Sequence, residues 1–474
     1  MRAAWTRLRD TALTARAGAA ELANVTTLRL AVTGLSRAGK TVFLVSLIGN
    51  LLAMARPGGG RDSLPKLAAA LADAQGRSRL AGVEIESSGT QRIPRFAYEA
   101  LRDGLSRDDA PAWPEVTDKP ALITLRLLIR PRPGLGQAKS LLLGPRVVRL
   151  ELLDYPGEWL VDLPLLEQSW EAWSAETLAR MRTPPRAAMA ADFLAFLASL
   201  DPAAPADEAV ALHGFRLYRD ALRRFRDEAG LRWLQPGRFL MPGPWGEAPF
   251  QHFFPWSVPS PRPGSLGAQL RDRFGAYKAE VRSSFFEPYF NEFNRQVVLV
   301  DVLGALFAGR AAFEDTRHAV GAIGASYARL LEGGWPLGRR IEHVAFVATK
   351  SDHVDDLQRA NLALILREMV GSAPRRARQS VHAAAALRCT VDADGPMVDG
   401  RASRVVMGVP LGETRQRAFS PGTVPAGPVP PGFWNSPYFV MPQLRPPLLG
   451  TGDGMPLDHL NLDEVLADLL GEAL

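Results

Sequence analysis

The stretch AVTGLSRAGKTVFLVSL, residues 31–47, decides the fold. Its central residues GLSRAGKT, 34–41, satisfy the pattern GxxxxGK[ST], in which glycines let backbone N–H groups curl around a polyphosphate. The alternative interpretation is a glycine corner beside a surface lysine. Since TTLRLAVTG predicts a buried strand before the loop and KTVFLVSLIGNLLAMA a helix after it, the loop has the strand-to-helix context that phosphate binding requires.

Each residue type in this loop has a physical role. The Lys40 ammonium reaches the outer phosphates, the Thr41 hydroxyl is a Mg²⁺ ligand, and the following helix directs the positive end of its dipole at the anion. The candidate phosphate-binding residues are Gly34, Ser36, Arg37, Ala38, Gly39, Lys40, Thr41 and Val42.

A second motif has the form DxxG. In LELLDYPG, Asp154 ends an apolar strand and can hold the metal through water, while the N–H of Gly157 can meet a γ-phosphate. Asp301 and Gly304 in VVLVDVLG have the same spacing, so the motif has two candidates. We favour Asp154 because it ends the third predicted strand element and precedes a PGEW turn that can move.

The stretch FVATKSDHV contains Thr349, Lys350 and Asp352 in the form [NT]KxD after a predicted strand. An aspartate there accepts both hydrogens that guanine presents on its Watson–Crick edge, and the lysine stem covers the base, whereas adenine offers the wrong pattern. The alternative is a polar loop that contains Lys and Asp by chance. The strand context and chain order favour guanine recognition.

Composition bounds the class of protein. The chain of 474 residues is 47% hydrophobic and 22% charged, which is typical of a packed globular protein with more than one domain or a large insertion. A net charge of +6 is small for this length and argues against specific nucleic-acid binding. The single cysteine, Cys389, fits a reducing cytoplasm, and the seven histidines show no HExxH spacing of a zinc hydrolase.

The N-terminal sequence MRAAWTRLRDTALTAR lacks the apolar core of a signal peptide. Apolar residues recur there at helical spacing between arginines, namely Trp5, Leu8, Ala12 and Ala15. This pattern predicts an amphipathic helix that docks on the body of the protein, with peripheral membrane contact as the alternative. The apolar stretch AAMAADFLAFLASL contains Asp192 and is short for a bilayer crossing, so we expect no transmembrane segment.

The periodicity divides the chain into three parts. Strands are predicted at 26–34, 121–129 and 146–154, the last two as a hairpin, and again at 295–306, 343–350 and 381–390. Because strands alternate with helix-length segments, we expect an α/β fold with a mostly parallel sheet flanked by helices. We expect residues 1–159 to contain the N-terminal helix and the first part of the α/β domain, and residues 160–290 to form an inserted helical domain. Residues 291–474 are expected to form the second part of the α/β domain and a C-terminal extension. That extension contains a glycine-marked hairpin after about residue 391 and a helix in 460–474.

Two stretches within the helical part have more than one interpretation. MPGPWGEAPFQHFFPWSVPSPRPG, 241–264, predicts a long loop pinned to its own domain by aromatic side chains, with a partner-docking surface as the alternative. RLYRDALRRFRDEAGLRW, 216–233, predicts a solvated helix face, because Asp and Glu are interleaved with the arginines; contact with acidic lipid or RNA is the alternative.

These motifs together resemble P-loop GTPases of the translation-factor-like class, and more narrowly the bacterial YcjX-like family of stress-associated nucleoside triphosphatases. The narrower resemblance rests on GLSRAGKTVFLVSLIGNLL, WPEVTDK, LLDYPGEWLVDLPLL, RQVVLVDVLGAL and TKSD, in that order along most of the chain. It implies a GTPase-type core with a helical domain inserted after the DxxG strand, and Mg²⁺-dependent hydrolysis of GTP to GDP. It identifies no cellular partner.

The resemblance also implies roles for individual residues. Thr117 in WPEVTDK is the candidate switch threonine that closes on Mg²⁺ and the γ-phosphate, so the metal site would comprise Thr41, Thr117 and Asp154. For the loop behind the base, AAAALRCT offers Ala385 and Leu387, although it lacks the usual serine.

Two residues depart from the common GTPase pattern. Glu158 follows the DxxG glycine where many GTPases have a water-orienting glutamine, and its carboxylate would be repelled by the γ-phosphate unless a cation or a proton compensates. Arg37 lies inside the phosphate loop, where its guanidinium could stabilise the transition state or simply face solvent. The candidate catalytic residues are Lys40, Thr117, Gly157, Glu158 and Arg37.

The sequence thus favours a nucleotide-controlled switch. Closure of the Thr117 and Gly157 loops on the γ-phosphate would alter the helical domain, through which an unidentified protein partner would be contacted. Two alternatives remain open: an ATPase in which TKSD is accidental, and a non-hydrolysing adaptor in which Glu158 marks lost hydrolysis.

Overall fold

A seven-stranded sheet is the centre of the computed structural model. Its strands are β1 (Val25–Gly34), β2 (Leu80–Glu86), β3 (Ala121–Ile129), β4 (Arg146–Asp154), β5 (Arg295–Val300), β6 (His343–Ala348) and β7 (Arg378–Ala383). They lie in the order β2-β3-β4-β1-β5-β6-β7. The pairs β2/β3 and β3/β4 are antiparallel, and every other pair is parallel, so the predicted mostly parallel α/β sheet is confirmed.

The structure describes residues 25–56, 61–86, 93–107, 111–115, 119–130, 146–258, 260–287, 292–331, 341–371, 378–398, 401–435, 441–449 and 455–474. The predicted N-terminal helix and Thr117 lie outside these residues. Both stay predictions.

The strand predictions differ in accuracy. The predicted hairpin of 121–129 and 146–154 is confirmed, with Ala121 opposite Asp154. The predicted strand 295–306 was too long, because Asp301 caps a new helix and β5 ends at Val300. The prediction 381–390 was shifted, since β7 ends at Ala383. Strand β2 was missed because its residues are mostly half-exposed and give no apolar run.

The described residues form helices on both sides of the sheet. They are α1 (Lys40–Met54), α2 (Pro65–Ala70), α3 (Tyr98–Leu105), α4 (Asp162–Leu165), α5 (Trp170–Met181), α6 (Arg186–Met189), α7 (Ala191–Ser199), α8 (Glu208–Asp227), α9 (Leu266–Val281), α10 (Val302–Phe307), α11 (Arg310–Leu331), α12 (Arg359–Val370) and α13 (Leu462–Leu470). Helices α4–α9 lie between β4 and β5, and we call residues 160–290 the helical region. Among the described helices, none combines the length and apolar character needed to cross a bilayer.

Alternation along the strands gives the sheet two apolar faces. In β1, Leu30 and Val32 pack with α1 and α13, whereas Ala31 joins the core of the helical region. In β5, Leu299 and Val300 divide in the same way. Because β4, β1, β5, β6 and β7 run parallel to one another, their carboxyl ends and the loops that follow lie along one edge of the sheet.

The helical region shares one apolar core with the second face of the sheet. The long loop 241–264 contributes the buried rings of Phe253, Phe254 and Trp256, so the predicted pinning by aromatic side chains is confirmed. Edge-to-face contacts of Phe253 with Trp173 and Phe274, which stack on each other, hold the loop against α5 and α9.

The C-terminal part adds a small antiparallel sheet. Its strands β8 (Thr390–Val398), β9 (Arg401–Gly408) and β10 (Arg417–Phe419) lie in the order β10-β9-β8, which confirms the predicted hairpin. The predicted terminal helix is α13, which packs against α2 through the Lys66–Glu464 ion pair and a hydrogen bond from Lys66 N to Asp463. Strand β8 begins next to the TKSD motif, because the Thr390 hydroxyl donates to the Asp352 carbonyl.

Candidate functional site

The phosphate-loop sequence forms a tight turn between β1 and α1. Arg37 and Gly39 have positive φ angles of 63° and 84°, and the Gly39 carbonyl accepts from Phe43 N at 2.9 Å. A β-carbon on Gly34 would lie 2.4 Å from the Leu299 carbonyl oxygen, so only glycine allows this approach to β5. No side chain caps the start of α1, and its first-turn amides therefore remain directed at the loop.

Lys40 and Gly157 meet at this loop. Lys40 is 8% exposed, and its Nζ lies 3.5 Å from the Gly34 carbonyl oxygen. A β-carbon on Gly157 would lie 1.4 Å from that oxygen and 3.3 Å from Nζ. The described residues place no carboxylate in an ion pair with Lys40. A buried ammonium of this kind requires an anion, and a phosphate would supply it.

The two candidate DxxG aspartates occupy different places. Asp154 is fully buried at the end of β4, opposite Val32 of β1, and its motif brings Gly157 to Lys40. Asp301 instead accepts from Gly304 N at 2.8 Å and pairs with Lys350. Burial opposes ionisation of Asp301, but the charge and hydrogen bonds of Lys350 and Gly304 N hold its pKa below the usual value. Asp301 therefore belongs to the TKSD end of the site.

A cavity of about 550 Å³ connects the phosphate loop to the TKSD motif. This volume is within the range of small-molecule and cofactor sites. The sequence-predicted residues on its wall are Arg37, Ala38, Gly39, Lys40, Thr41, Val42, Thr349, Lys350, Asp352, Ala385 and Leu387. Gly34 packs on Leu299, and Ser36, Gly157 and Glu158 line a separate small chamber beside the loop.

The Asp352 carboxylate is fixed at the far end of this cavity. It is 2% exposed, and Oδ2 accepts from Cys389 N at 2.8 Å. Lys350 has a positive φ of 58°, which turns the chain so that Lys350 and Asp352 both face the cavity. The backbone N–H of Ala385 donates to the Leu460 carbonyl at 2.9 Å, so it is engaged within the protein. The described residues give Oδ1 of Asp352 no hydrogen-bond donor, so this oxygen is available to accept from a ligand.

The sequence motifs do not include several residues that line this cavity. Trp113 stands in the WPEVTDK stretch and donates from Nε1 to the Leu444 carbonyl at 2.7 Å. Phe307, Met441 and Leu444 lie on the same wall. Trp113 had a sequence signal in that stretch, whereas the residues around 441–444 come from a proline-rich segment with no motif.

The oxygen donors fit a hard divalent cation. The Thr41 hydroxyl is at the first turn of α1, and the Asp154 carboxylate ends the neighbouring strand β4 with no exposed surface. A buried carboxylate beside a phosphate site, with a hydroxyl and phosphate oxygens, is the ligand chemistry that Mg²⁺ prefers.

The segment that follows the DxxG glycine is held by the helical region. A β-carbon on Gly237 would lie 1.7 Å from the Glu158 carbonyl oxygen. Trp159 Nε1 donates to the Met241 carbonyl at 2.8 Å, and the Arg238 guanidinium lies 3.6 Å from the centre of a Trp159 ring. Because these contacts are to backbone or a stacked ring, we expect a shift of residues 157–162 to be transmitted to the chain around 235–241.

Asp162 lies at the base of this contact. Its carboxylate is fully buried and accepts from Gly237 N at 2.8 Å and from the Tyr277 hydroxyl at 2.7 Å. Burial raises the pKa of Asp162 to about 6, while these hydrogen bonds and the charge of Arg238 act in the opposite direction. This carboxyl ties the segment after Gly157 to both the 235–241 loop and α9.

We expect the Asp162→Asn variant to show a different pH dependence of stability from the unchanged protein. Between about pH 4 and about pH 6 the unfolded chain loses the Asp162 proton while the folded chain keeps it, so rising pH lowers the free energy of unfolding by about 3 kcal/mol. The variant lacks this decline. Urea unfolding at a series of pH values measures it, and parallel curves for the two proteins would contradict the raised pKa.

The geometry can be compared with known proteins. The sequence profile of the YcjX-like family, DUF463, matches residues 28–474. The Ras-like GTPase YcjX of Escherichia coli K12 is 34% identical over 473 residues, covering 94% of this chain and 96% of that protein. The Ras-like GTPase YcjX of Shewanella oneidensis is 32% identical over 474 residues, covering 94% of each. Since the profile and both alignments include the phosphate loop, the sheet and the helical region, the chain belongs to the YcjX-like family.

Proposed function

We propose that the protein binds GTP and GDP with Mg²⁺ and hydrolyses GTP to GDP and phosphate. One observation carries the proposal: the phosphate loop and the Lys350–Asp352 pair line a single cavity of about 550 Å³. Phosphate binding and guanine recognition thus converge on one ligand. Two relatives of this chain are named Ras-like GTPases, which supports the same class.

In the proposed complex, the phosphates and the base of the nucleotide each contact residues with suitable charge and hydrogen-bonding groups. Lys40 and the loop amides hold the β- and γ-phosphates, and Gly157 N–H donates to the γ-phosphate. Asp352 accepts from guanine N1–H and the 2-amino group, while the stem of Lys350 covers the base and its ammonium stays with Asp301. Thr41, Thr117 and Asp154 would hold Mg²⁺, which supplies charge neutralisation at the phosphates.

For hydrolysis, the proposal assigns Lys40, Thr117, Gly157, Glu158 and Arg37 as candidate catalytic residues. Water attacks the γ-phosphorus, and GDP leaves with the electron pair of the broken bond. Arg37 is exposed and lines the large cavity, from where its guanidinium would reach the phosphates. Ala385 and Leu387 back the base.

The proposed output is a conformational switch. Loss of the γ-phosphate would release Gly157 and thereby the contacts of Glu158 and Trp159 with the 235–241 loop. A protein partner would sense the change at the helical region. We place this activity in the cytoplasm and, from the family resemblance, in a stress response. Contact of the predicted N-terminal helix with a membrane surface is compatible with this role.

Nucleotide binding and turnover by the purified protein test the proposal. We expect GDP to bind at least about 10²-fold more tightly than ADP, because adenine leaves the buried Asp352 carboxylate without a donor. Calorimetry measures both affinities, and single-turnover assays with Mg²⁺ measure GTP and ATP hydrolysis. Lys40→Ala is the control, which should lose both binding and turnover.

Each alternative function has its own signature in these assays. Equal affinity for ADP and GDP would contradict guanine recognition and favour an ATPase. Tight GTP binding without phosphate release, in a protein whose Lys40 is intact, would contradict hydrolysis and favour an adaptor.

A further inference from the structure

A small chamber lies between the phosphate loop, the DxxG segment and the helical region. Ser36, Gly157 and Glu158 line it from one side, and Arg226 and Arg232 from the other. Its volume is about 10 Å³, which is about the space needed for a single water molecule. The chamber adjoins Gly157, the glycine that approaches Lys40, so it is on the side of the loop where a terminal phosphate would end.

Glu158 brings a charge to this chamber. Its side chain is 8% exposed, and Oε1 is buried without a hydrogen-bond partner among the described residues. Leaving a carboxylate oxygen buried and unpaired is costly unless a donor or a cation enters the site. The positive charges of Arg226 and Arg232, which both interact with the Glu158 charge, offset part of this cost.

Backbone hydrogen bonds hold the segment that contains Arg232 in place. The N–H groups of Arg232 and Trp233 donate to Asp315 Oδ2 at 2.6 and 2.8 Å, and Asp315 is in turn paired with the buried Arg186. These bonds fix the chain without using the Arg232 side chain. Its guanidinium Nη1 donates to the neighbouring Leu231 carbonyl at 3.1 Å.

The charge of Arg232 is not neutralised by an ion pair in the part of the chain that the structure describes. Burial lowers the pKa of Arg232; the charges of Asp301, Glu158 and Asp315 oppose this shift, and the charge of Arg37 adds to it. Arg226 differs, because its guanidinium makes two hydrogen bonds to Asp227 at 2.8 and 3.0 Å. Arg232 is therefore a half-buried cation beside a phosphate loop with donors to spare.

We propose that Arg232 is a catalytic arginine that the helical region supplies to the phosphate site. This inference rests on the proposed GTP hydrolysis. The water oxygen forms a bond to the γ-phosphorus, the bond from that phosphorus to the bridging oxygen breaks, and its electron pair stays on GDP. The water proton passes to the released phosphate.

In this step Arg232 keeps its proton and donates hydrogen bonds to the oxygens that gain charge. Its positive charge also compensates that of Glu158, which makes a carboxylate tolerable beside the γ-phosphate. The helical region would thus complete the hydrolytic site. An exposed arginine of α8, Arg223, pairs with Asp220 and lies outside the chamber, so it provides a matched control.

The test compares Arg232→Ala, Arg232→Lys and Arg223→Ala in the full-length protein. We expect single-turnover GTP hydrolysis to fall about 10²-fold in Arg232→Ala, while affinity for a non-hydrolysable GTP analogue changes less than about threefold, because the contact forms in the transition state. Binding of GDP with aluminium fluoride, which mimics that state, should be lost. Arg232→Lys should recover part of both signals, and Arg223→Ala should behave as the unchanged protein.

The outcomes separate this inference from the proposed function. If the unchanged protein neither hydrolyses GTP nor binds GDP with aluminium fluoride, the proposed function fails and the inference with it. If it does both and Arg232→Ala retains both, the inference is overturned while GTP hydrolysis stands. Since Asp315 holds only backbone groups of this segment, a loss of folding in Arg232→Ala would leave Arg232→Lys to decide by the same two measurements.

Discussion

The Asp352→Asn variant is expected to bind GDP about 10³-fold more weakly than the unchanged protein and to gain affinity for xanthosine diphosphate. Cys389 N donates to Asp352 Oδ2, and this bond sets the orientation of an asparagine side chain. Its carbonyl oxygen must keep the Cys389 bond, so its NH₂ group faces the cavity. A donor there repels the N–H groups of guanine and matches the 2-oxo group of xanthine.

A nearby carboxylate provides the control for this change. Asp355 is 3% exposed, three positions further along the chain, and accepts from Leu357 N at 3.1 Å without lining the cavity. Asp355→Asn should leave the preference for guanine unchanged. Calorimetric titration of both variants with GDP, ADP and xanthosine diphosphate measures the effect, and an Asp352→Asn protein that still prefers GDP would place the base elsewhere.

The central sheet was predictable because its signals are local. Alternating or continuous apolar runs marked β1, β3, β4 and β6, and the turn residues between them gave the hairpin. The errors arose where a polar side chain changed the local structure. Asp301 accepts from Gly304 N and starts α10, which the apolar letters of VLGALF concealed.

The site was predictable only in part, for the same reason. The glycines of the phosphate loop and the TKSD motif are contiguous in sequence, whereas the wall at 441–444 and the chamber arginines are set by contacts between distant segments. In the arginine-rich stretch 216–233, Arg223 and Arg224 are paired on the exposed face as expected. Arg232 has the same sequence context but is turned inward by bonds from its backbone to Asp315, 83 positions away.

Gly237 lies in close backbone contact with Glu158. We expect this contact to carry the effect of the bound nucleotide into the helical region. In the unchanged protein we expect hydrogen exchange within residues 160–290 to differ between the GDP complex and the complex with a non-hydrolysable GTP analogue, since Gly157 and the residues after it are held by the 235–241 loop. In Gly237→Ala this difference should disappear. An added β-carbon would lie 1.7 Å from the Glu158 carbonyl oxygen and 3.0 Å from Val161 Cγ2, so the two segments must separate.

The same substitution is expected to lower the free energy of unfolding by about 3 kcal/mol, as overpacking against fixed backbone does. Gly275→Ala is the matched control: this exposed glycine lies in α9, where a β-carbon meets no atom within 4 Å, and the change should stabilise the helix by about 1 kcal/mol. Unfolding in urea and exchange mass spectrometry measure both effects. If hydrogen exchange in the helical region of the unchanged protein is the same in both nucleotide states, the proposed switch is contradicted. If Gly237→Ala keeps the difference in exchange, the signal leaves Gly157 through contacts other than those of Gly237.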